Sequence, residues 1–380
     1  MILKDMVKPL YRFMKYVLLK IKYVFLCKNN CVDNFLKGKE DFSLFITHSL
    51  GGGTFQYEKN YLKENSEKKI FILRIFSYGK DLCYRLENKQ TGEEIYISAK
   101  NVSRVFDNEF NEVIINSLIQ IYDLFVFIDL LLEYKTKYAE IQYTYHVHDF
   151  HCVCPQQNLI ANDWYCNLEC NRHNCRFDKF VYRYNGTIDR YREKWGKLLL
   201  NSDKIICFSE SSMNIVKSAY KLLDIKKIVV KPHDMSYCNF TPIKVSNSTN
   251  IAIVGACNST AKGKLVIEKI LRELPENLKI FMIGSSKKLF SIKRKNIFWY
   301  GTYKHDDLPK ILEDLEISKV VFPSVCPETF SYVVSELMQM HIPIIAFDFG
   351  AQGEKLKHYD KGVLFKDLDD MITFVRNNIG

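Results

Sequence analysis

The chain has 380 residues, 47% hydrophobic and 26% charged, with a formal net charge of +10. That length exceeds what one hydrophobic core supports, so two domains are expected, and the composition excludes a disordered or fibrous chain. No run of eighteen apolar residues occurs, which argues against a transmembrane helix.

The positive charge is uneven. Residues 1–28 hold seven basic side chains (Lys4, Lys8, Arg12, Lys15, Lys20, Lys22 and Lys28) against one acid, Asp5. On a helical wheel Lys4, Lys8, Arg12, Lys15 and Lys22 share one side, opposite Leu10, Phe13, Met14, Val17, Ile21, Val24 and Phe25. One reading is an interfacial helix that meets an anionic membrane surface through residues 4–25. The other is a helix packed on its own domain with a solvated lysine face. Nucleic acid is the weaker partner, since it would leave a broad apolar face unsatisfied and no recognisable module accompanies the cluster. Charges interrupt each apolar stretch and no small-residue cleavage site follows, so a cytoplasmic protein is expected rather than a secreted one. Its twelve cysteines then read as thiols or metal ligands.

From Asp41 onward, short apolar strands alternate with helix-patterned segments. Strands are predicted at 43–48, 69–76, 123–128, 142–147 and 204–208. "LCYRLENKQTGEEIYIS" (82–98) reads as a hairpin inserted in this half. After the Ser/Asn-rich "KVSNSTN" (244–250), a second alternation has strands at 251–255, 279–283, 297–300, 319–322 and 343–347. This predicts two α/β, Rossmann-like domains with parallel sheets facing a central cleft, where strand carboxyl ends collect ligands. The expected boundaries are 1–40 for the basic segment, 41–235 and 236–365 for the domains, and 366–380 for a C-terminal helix that packs back on the first domain.

Four regions can carry chemistry. "THSLGGGTFQYEKNYL" (47–62) places Gly51–Gly53 between a strand and a helix, where they form either a tight turn or an anion site at the helix N-terminus. "TYHVHDFHCVCPQQNLIANDWYCNLECNRHNC" (144–175) is dense in Cys and His. Cys154, Cys166, Cys170 and Cys175 are candidates for a structural zinc site, although their spacings are not paired C-x2-C knuckles; the alternative is cysteines acting as small apolar fillers. His148 and Asp149 close a buried strand, and a neutral His148 donor suits a sugar hydroxyl. In the second half, "IAIVGACNSTAKGKLVIEKIL" (251–271) sets Lys262 at a helix start, as a point charge for phosphate or as a solvated lysine.

"CPETFSYVVSELMQMHIPIIAFD" (326–348) holds two glutamates eight positions apart. A helix starting near Thr329 would offer free amides to a diphosphate, with Glu328 over what the diphosphate carries and Glu336 beside two ribose hydroxyls. Singly, either acid reads as a helix-capping or surface residue.

Together, "THSLGGGTFQYEKNYL", "VHDFHCVCPQQNLI", "ICFSESS", "GACNSTAKG" and the 326–356 stretch resemble the GT-B retaining glycosyltransferases, specifically the family-four group of bacterial surface-polysaccharide synthesis. The resemblance spans about residues 43–365 and rests most on its E-x7-E element, here Glu328 and Glu336. It implies transfer of a sugar from a nucleotide-sugar donor, with retention and no required metal cofactor. The acceptor would be lipid-linked or glycan, at the inner face of a bacterial cell membrane.

Carried over by motif, Glu328, His148 and Lys262 would be catalytic. Gly52, Gly53, Lys262, Thr329, Phe330 and Glu336 would bind the donor, and Asp149, Ser209 and Lys264 are further candidates for phosphate or sugar contacts. Two positions depart from the family: Ala256 stands where relatives often have arginine, and His341 where they usually have glycine. Ala256 also keeps open a catalytically inactive, nucleotide-sugar-binding subunit of the same fold.

Overall fold

The structure is a computed structural model. It describes residues 27, 31–78, 81–121, 123–170, 187–292 and 294–379. The helix expected over 4–25 and Cys175 lie outside the described residues. Two compact units are present. The first comprises residues 1–148, 189–206 and 220–229; the second comprises 149–188, 207–219 and 230–380. The chain thus divides less simply than a single boundary near 235.

Helix α1 (Val32–Leu36) leads into the first unit's sheet, which is built from β1 (Ser43–His48), β2 (Ile70–Tyr78), β3 (Asp81–Asn88), β4 (Glu94–Ser98), β5 (Glu112–Ile115) and β6 (Gln142–His146). After the short pair β7 (Ile160–Ala161) and β8 (Trp164–Tyr165), strands β9 (Lys204–Cys207) and β10 (Ile228–Val230) complete it. The order is β10-β9-β6-β5-β1-β2-β3-β4. Strands β2, β1, β5, β6 and β9 run parallel, whereas β3 and β4 are antiparallel, as the 82–98 hairpin requires. All six residues of β1 are buried, as in a strand covered on both faces. Helix α2 (Gly53–Glu64) sets Tyr61 and Leu62 against Phe45, Ile70, Ile72 and Ile114.

The strand predicted at 123–128 is instead part of helix α3 (Leu124–Lys137). Its buried residues Leu124, Phe127, Ile128, Leu131 and Tyr134 recur at helical spacing, and that periodicity outweighs the β propensity of "LFVFI". Helices α4 (Ile188–Asn201) and α5 (Glu210–Ala219) follow.

The second unit's sheet contains β11 (Asn250–Val254), β12 (Lys279–Ile283), β13 (Ile297–Gly301), β14 (Lys319–Phe322), β15 (Ile344–Phe347) and β16 (Gly362–Phe365). Its order is β13-β12-β11-β14-β15-β16, with every neighbouring pair parallel. Period-two alternation divides these strands between two cores. Ile251, Ile253, Ile280, Met282, Val321 and Ile345 face helices α6 (Lys264–Glu273) and α10 (Leu368–Ile379). Ala252, Val254, Ile283, Val320, Phe322 and Ile344 face α7 (Leu308–Asp314) and α8 (Tyr332–Gln339). Helix α9 (Gly350–Leu356) follows β15. Burying each such aliphatic side chain contributes about 1.5–3 kcal/mol, which is why near-continuous apolar strands specify this layered arrangement. The β7–β8 pair joins this unit through Trp164, whose ring packs edge-on to Phe347 at 4.8 Å. Helix α10 packs on α6 and β16 within the second unit.

Candidate functional site

In the second unit, parallel strands end in the two loops that carry the predicted acid and base. Lys262 Nζ lies 2.5 Å from Glu328 Oε1, with the lysine side chain 50% exposed and the glutamate 11%. Burial alone would raise the Glu328 pKa, but the ammonium beside it holds the carboxyl below its usual range. Glu328 in turn raises the Lys262 pKa. The two residues expected to act on one donor are thus brought together.

Two glycines permit this approach. Gly263, at φ +80°, passes so close to the chain that a Cβ would stand 2.0 Å from the Pro323 carbonyl oxygen. At Gly350, φ +50°, a Cβ would meet the Glu328 backbone nitrogen at 2.6 Å. The amide of Glu328 donates to Gln352 Oε1 at 3.0 Å, and Gln352 Nε2 donates to Cys326 O at 2.7 Å. Fully buried Gln352 therefore pins the loop on both sides of Pro327.

Helix α8 begins at Tyr332, three residues beyond the predicted start. Ser331 precedes it in the left-handed region at φ 63°, turning the chain between Glu328 and the helix. The Phe330 ring stacks on His233, with centroids 4.6 Å apart and planes 8° from parallel. On the same ring sits Lys355 Nζ, 3.4 Å from the centroid. That ammonium also donates to Phe330 O and Ser335 Oγ, both at 2.5 Å. Phe330 was expected to bind donor, yet its ring is engaged in holding the turn. Burial pushes the Lys355 pKa down to about 7, with Glu328 and Glu354 opposing.

Glu336 lies in the second turn of α8 and is 6% exposed. Its Oε1 accepts from Tyr237 OH at 3.3 Å and pairs with His305 Nε2 at 3.1 Å. Burial would lower the His305 pKa, but hydrogen bonding to Asp306 and the Glu336 charge raise it on balance. Neither Tyr237 nor His305 was singled out from the sequence. Ala256 is exposed in the loop after β11, and Lys264 opens α6 half-buried.

In the first unit, Gly52 has φ +87° and caps α2, so its backbone angle calls for glycine. A Cβ on Gly51 or Gly52 would meet nothing within 4 Å, so crowding does not. Behind this loop runs a buried polar chain. Arg74 NH2 and NH1 donate to Glu58 Oε1 at 2.5 Å and Oε2 at 3.1 Å. Thr47 Oγ1 donates to Glu58 Oε2 at 3.3 Å and accepts from Asn116 Nδ2 at 3.2 Å. Asn116 Oδ1 meets both His146 Nδ1, at 3.0 Å, and His148 Nε2, at 2.7 Å. Tyr57 packs edge-on against both imidazoles. The sequence held one signal for this set: a lone arginine inside the apolar strand "IFILRIFSY" needs a buried partner.

Of the remaining candidates, Asp149 lies in the second unit and accepts from His151 N at 2.8 Å. Burial pushes its carboxyl up to about 6, against that hydrogen bond. Ser209 caps α5 reciprocally: its Oγ accepts from Ser212 N at 3.1 Å, and its own N donates to Ser212 Oγ at 3.2 Å. One member of the proposed zinc set, Cys175, lies outside the described residues. Among the described residues no three His, Cys, Asp or Glu side chains converge to hold a metal. Cys154 is buried in the core while Cys170 is exposed.

Residues 248–377 match the family model of glycosyl transferases group 1. The fold is similar to that of HepE from Anabaena in complex with UDP-glucose, with 14% identity, 89% of each chain covered and a TM-score of 0.53. Sucrose-phosphate synthase from Thermosynechococcus elongatus is likewise similar, with 12% identity, 89% of each chain covered and a TM-score of 0.53. At these identities the likeness is one of fold, the two Rossmann-like units of GT-B structures. No curated protein sequence matches the chain.

Proposed function

We propose that this protein is a retaining glycosyltransferase that moves a sugar from a nucleotide-sugar donor to a lipid-linked or glycan acceptor in bacterial surface-glycan synthesis. The observation that carries this reading is the Lys262–Glu328 pair at the carboxyl ends of the second sheet's strands, within the segment that matches glycosyl transferases group 1. An ammonium there neutralises a departing diphosphate as its charge develops, and a carboxylate beside it contacts the sugar being released. Glu336, already shaped as a hydrogen-bond acceptor by Tyr237 and His305, would take two ribose hydroxyls, and the free amides of the first turn of α8 would hold the diphosphate.

In the first unit, Gly52, Gly53 and His148 are candidate ligand contacts, and the acceptor would bind that unit. HepE was solved with UDP-glucose, which makes uridine-linked hexoses the first donors to try. The basic segment over residues 4–25 would dock the enzyme on the cytoplasmic face of an anionic membrane, where a lipid-linked acceptor resides. No described helix is long and apolar enough to cross a membrane.

The test is release of nucleoside diphosphate from a panel of nucleotide sugars in the presence of membrane extract, repeated with Glu328→Ala. One donor turned over by the native chain and not by the variant supports the reading. Tight nucleotide binding with no release from any donor would favour a non-catalytic binding subunit.

A further inference from the structure

The buried chain of polar groups in the first unit has a direction, and the direction can be deduced from its fixed end. A carboxylate held in a guanidinium fork has only acceptor sites, so Glu58 cannot donate to Thr47. The Thr47 hydroxyl must therefore spend its single proton on Glu58 Oε2. Its lone pairs face Asn116, which must then present its amide nitrogen to Thr47. The flipped amide would place the Asn116 oxygen against a hydroxyl with no proton left to give. With the nitrogen so committed, Oδ1 is the atom that meets both imidazoles, and an oxygen there can only accept. Both histidines must donate: His146 from Nδ1 and His148 from Nε2.

We propose that Arg74 and Glu58, acting through Thr47 and Asn116, are positioning residues that fix His148 as its Nε2–H tautomer. The neutral ring then carries its lone pair on Nδ1. Resting on the reading that His148 meets substrate, this assigns the histidine as a hydrogen-bond acceptor for a sugar or acceptor hydroxyl. It reverses the donor role expected from the sequence. It also gives a reason for an arginine and a glutamate in the interior, 9% and 3% exposed. A buried carboxylate gripped by a guanidinium fork cannot rotate or exchange its acceptor face for a donor, so the order it imposes persists along the chain.

The experiment uses the full chain with nitrogen-15 in its histidines and long-range proton–nitrogen correlation spectra at neutral pH, with His148 assigned through His148→Gln. The expected spectrum shows His148 protonated on Nε2 alone and His146 on Nδ1 alone. Thr47→Val, which removes the hydroxyl but keeps the shape, should convert His148 to a mixture of tautomers. Thr47→Ser should restore the single form. A native His148 protonated on Nδ1, or on both nitrogens, overturns the proposal. So does an unchanged tautomer in Thr47→Val. If that variant does not fold, the native spectrum decides alone. No turnover is needed, so failure of this inference is distinguishable from failure of the transferase reading.

Discussion

Lys262 and Glu328, 66 positions apart in sequence, stand 2.5 Å apart as each other's counter-ion. The contact is possible because Gly263 and Gly350 let two backbone segments approach more closely than any Cβ would allow. Removing the cation should therefore expose what it was holding. In Lys262→Met, Glu328 keeps its burial and loses its partner. We expect a stability loss of about 1–2 kcal/mol, discounted because the lysine is half exposed, and donor turnover lower by about 100-fold. The sign with pH follows from the depressed Glu328 pKa. Its stabilising contribution is present above the unfolded value and is lost as pH falls through the folded one, so the gap between native and variant should close below about pH 4. Urea melts from pH 3 to 8 check this.

Lys355 gives the opposite slope. Its folded pKa of about 7 lies below its ordinary value of 10.5, so between these limits the unfolded chain binds the extra proton. Stability should rise with pH across that window, by up to about 1 kcal/mol per pH unit. Lys355→Met should remove this part of the slope. Paired denaturation curves at pH 7, 8 and 9 measure it; parallel curves would show that the ammonium stays charged in its cage.

His341 follows α8 with φ 54°, the left-handed angle that a helix-terminating glycine usually supplies. The family resemblance expects glycine there. His341→Gly should relieve the strain and, after the entropy glycine gains in the unfolded chain, stabilise the protein by about 0.5–1 kcal/mol. A rise in thermal midpoint with unchanged turnover is the expected result.

On the proposed function, Lys262, a cation built into the fold, neutralises the leaving diphosphate. Turnover should accordingly survive exhaustive treatment with a chelator. Loss of activity restored by a divalent cation would show that Lys262 does not suffice.

The second sheet was legible because its strands are short, apolar and β-branched, and its loops carry the glycines and glutamates that the E-x7-E resemblance marks. The 82–98 hairpin was readable from its polar turn. What escaped depends on distance in sequence. The strand expected at 123–128 is a helix because five apolar residues in a row satisfy either period. Ser331 delays α8 through a left-handed backbone that sequence does not announce in a serine. Lys355, Tyr237 and His305 look like ordinary surface residues until the fold brings them to Phe330 and Glu336. Arg74 escaped as well, although an interior charge in an apolar strand signals a buried partner, here Glu58 in the helix after Gly53.

The most direct test of the central claim is calorimetric binding of nucleoside diphosphates to the native chain, Lys262→Met and Glu336→Gln, with the 2′,3′-dideoxy forms as controls. We predict that one nucleoside diphosphate binds and that each substitution weakens it at least about tenfold, the equivalent of roughly 1.4 kcal/mol. Glu336→Gln should have no further effect on the dideoxy form. Native-like affinity in both variants would contradict the assignment of the second unit's strand ends as the donor site.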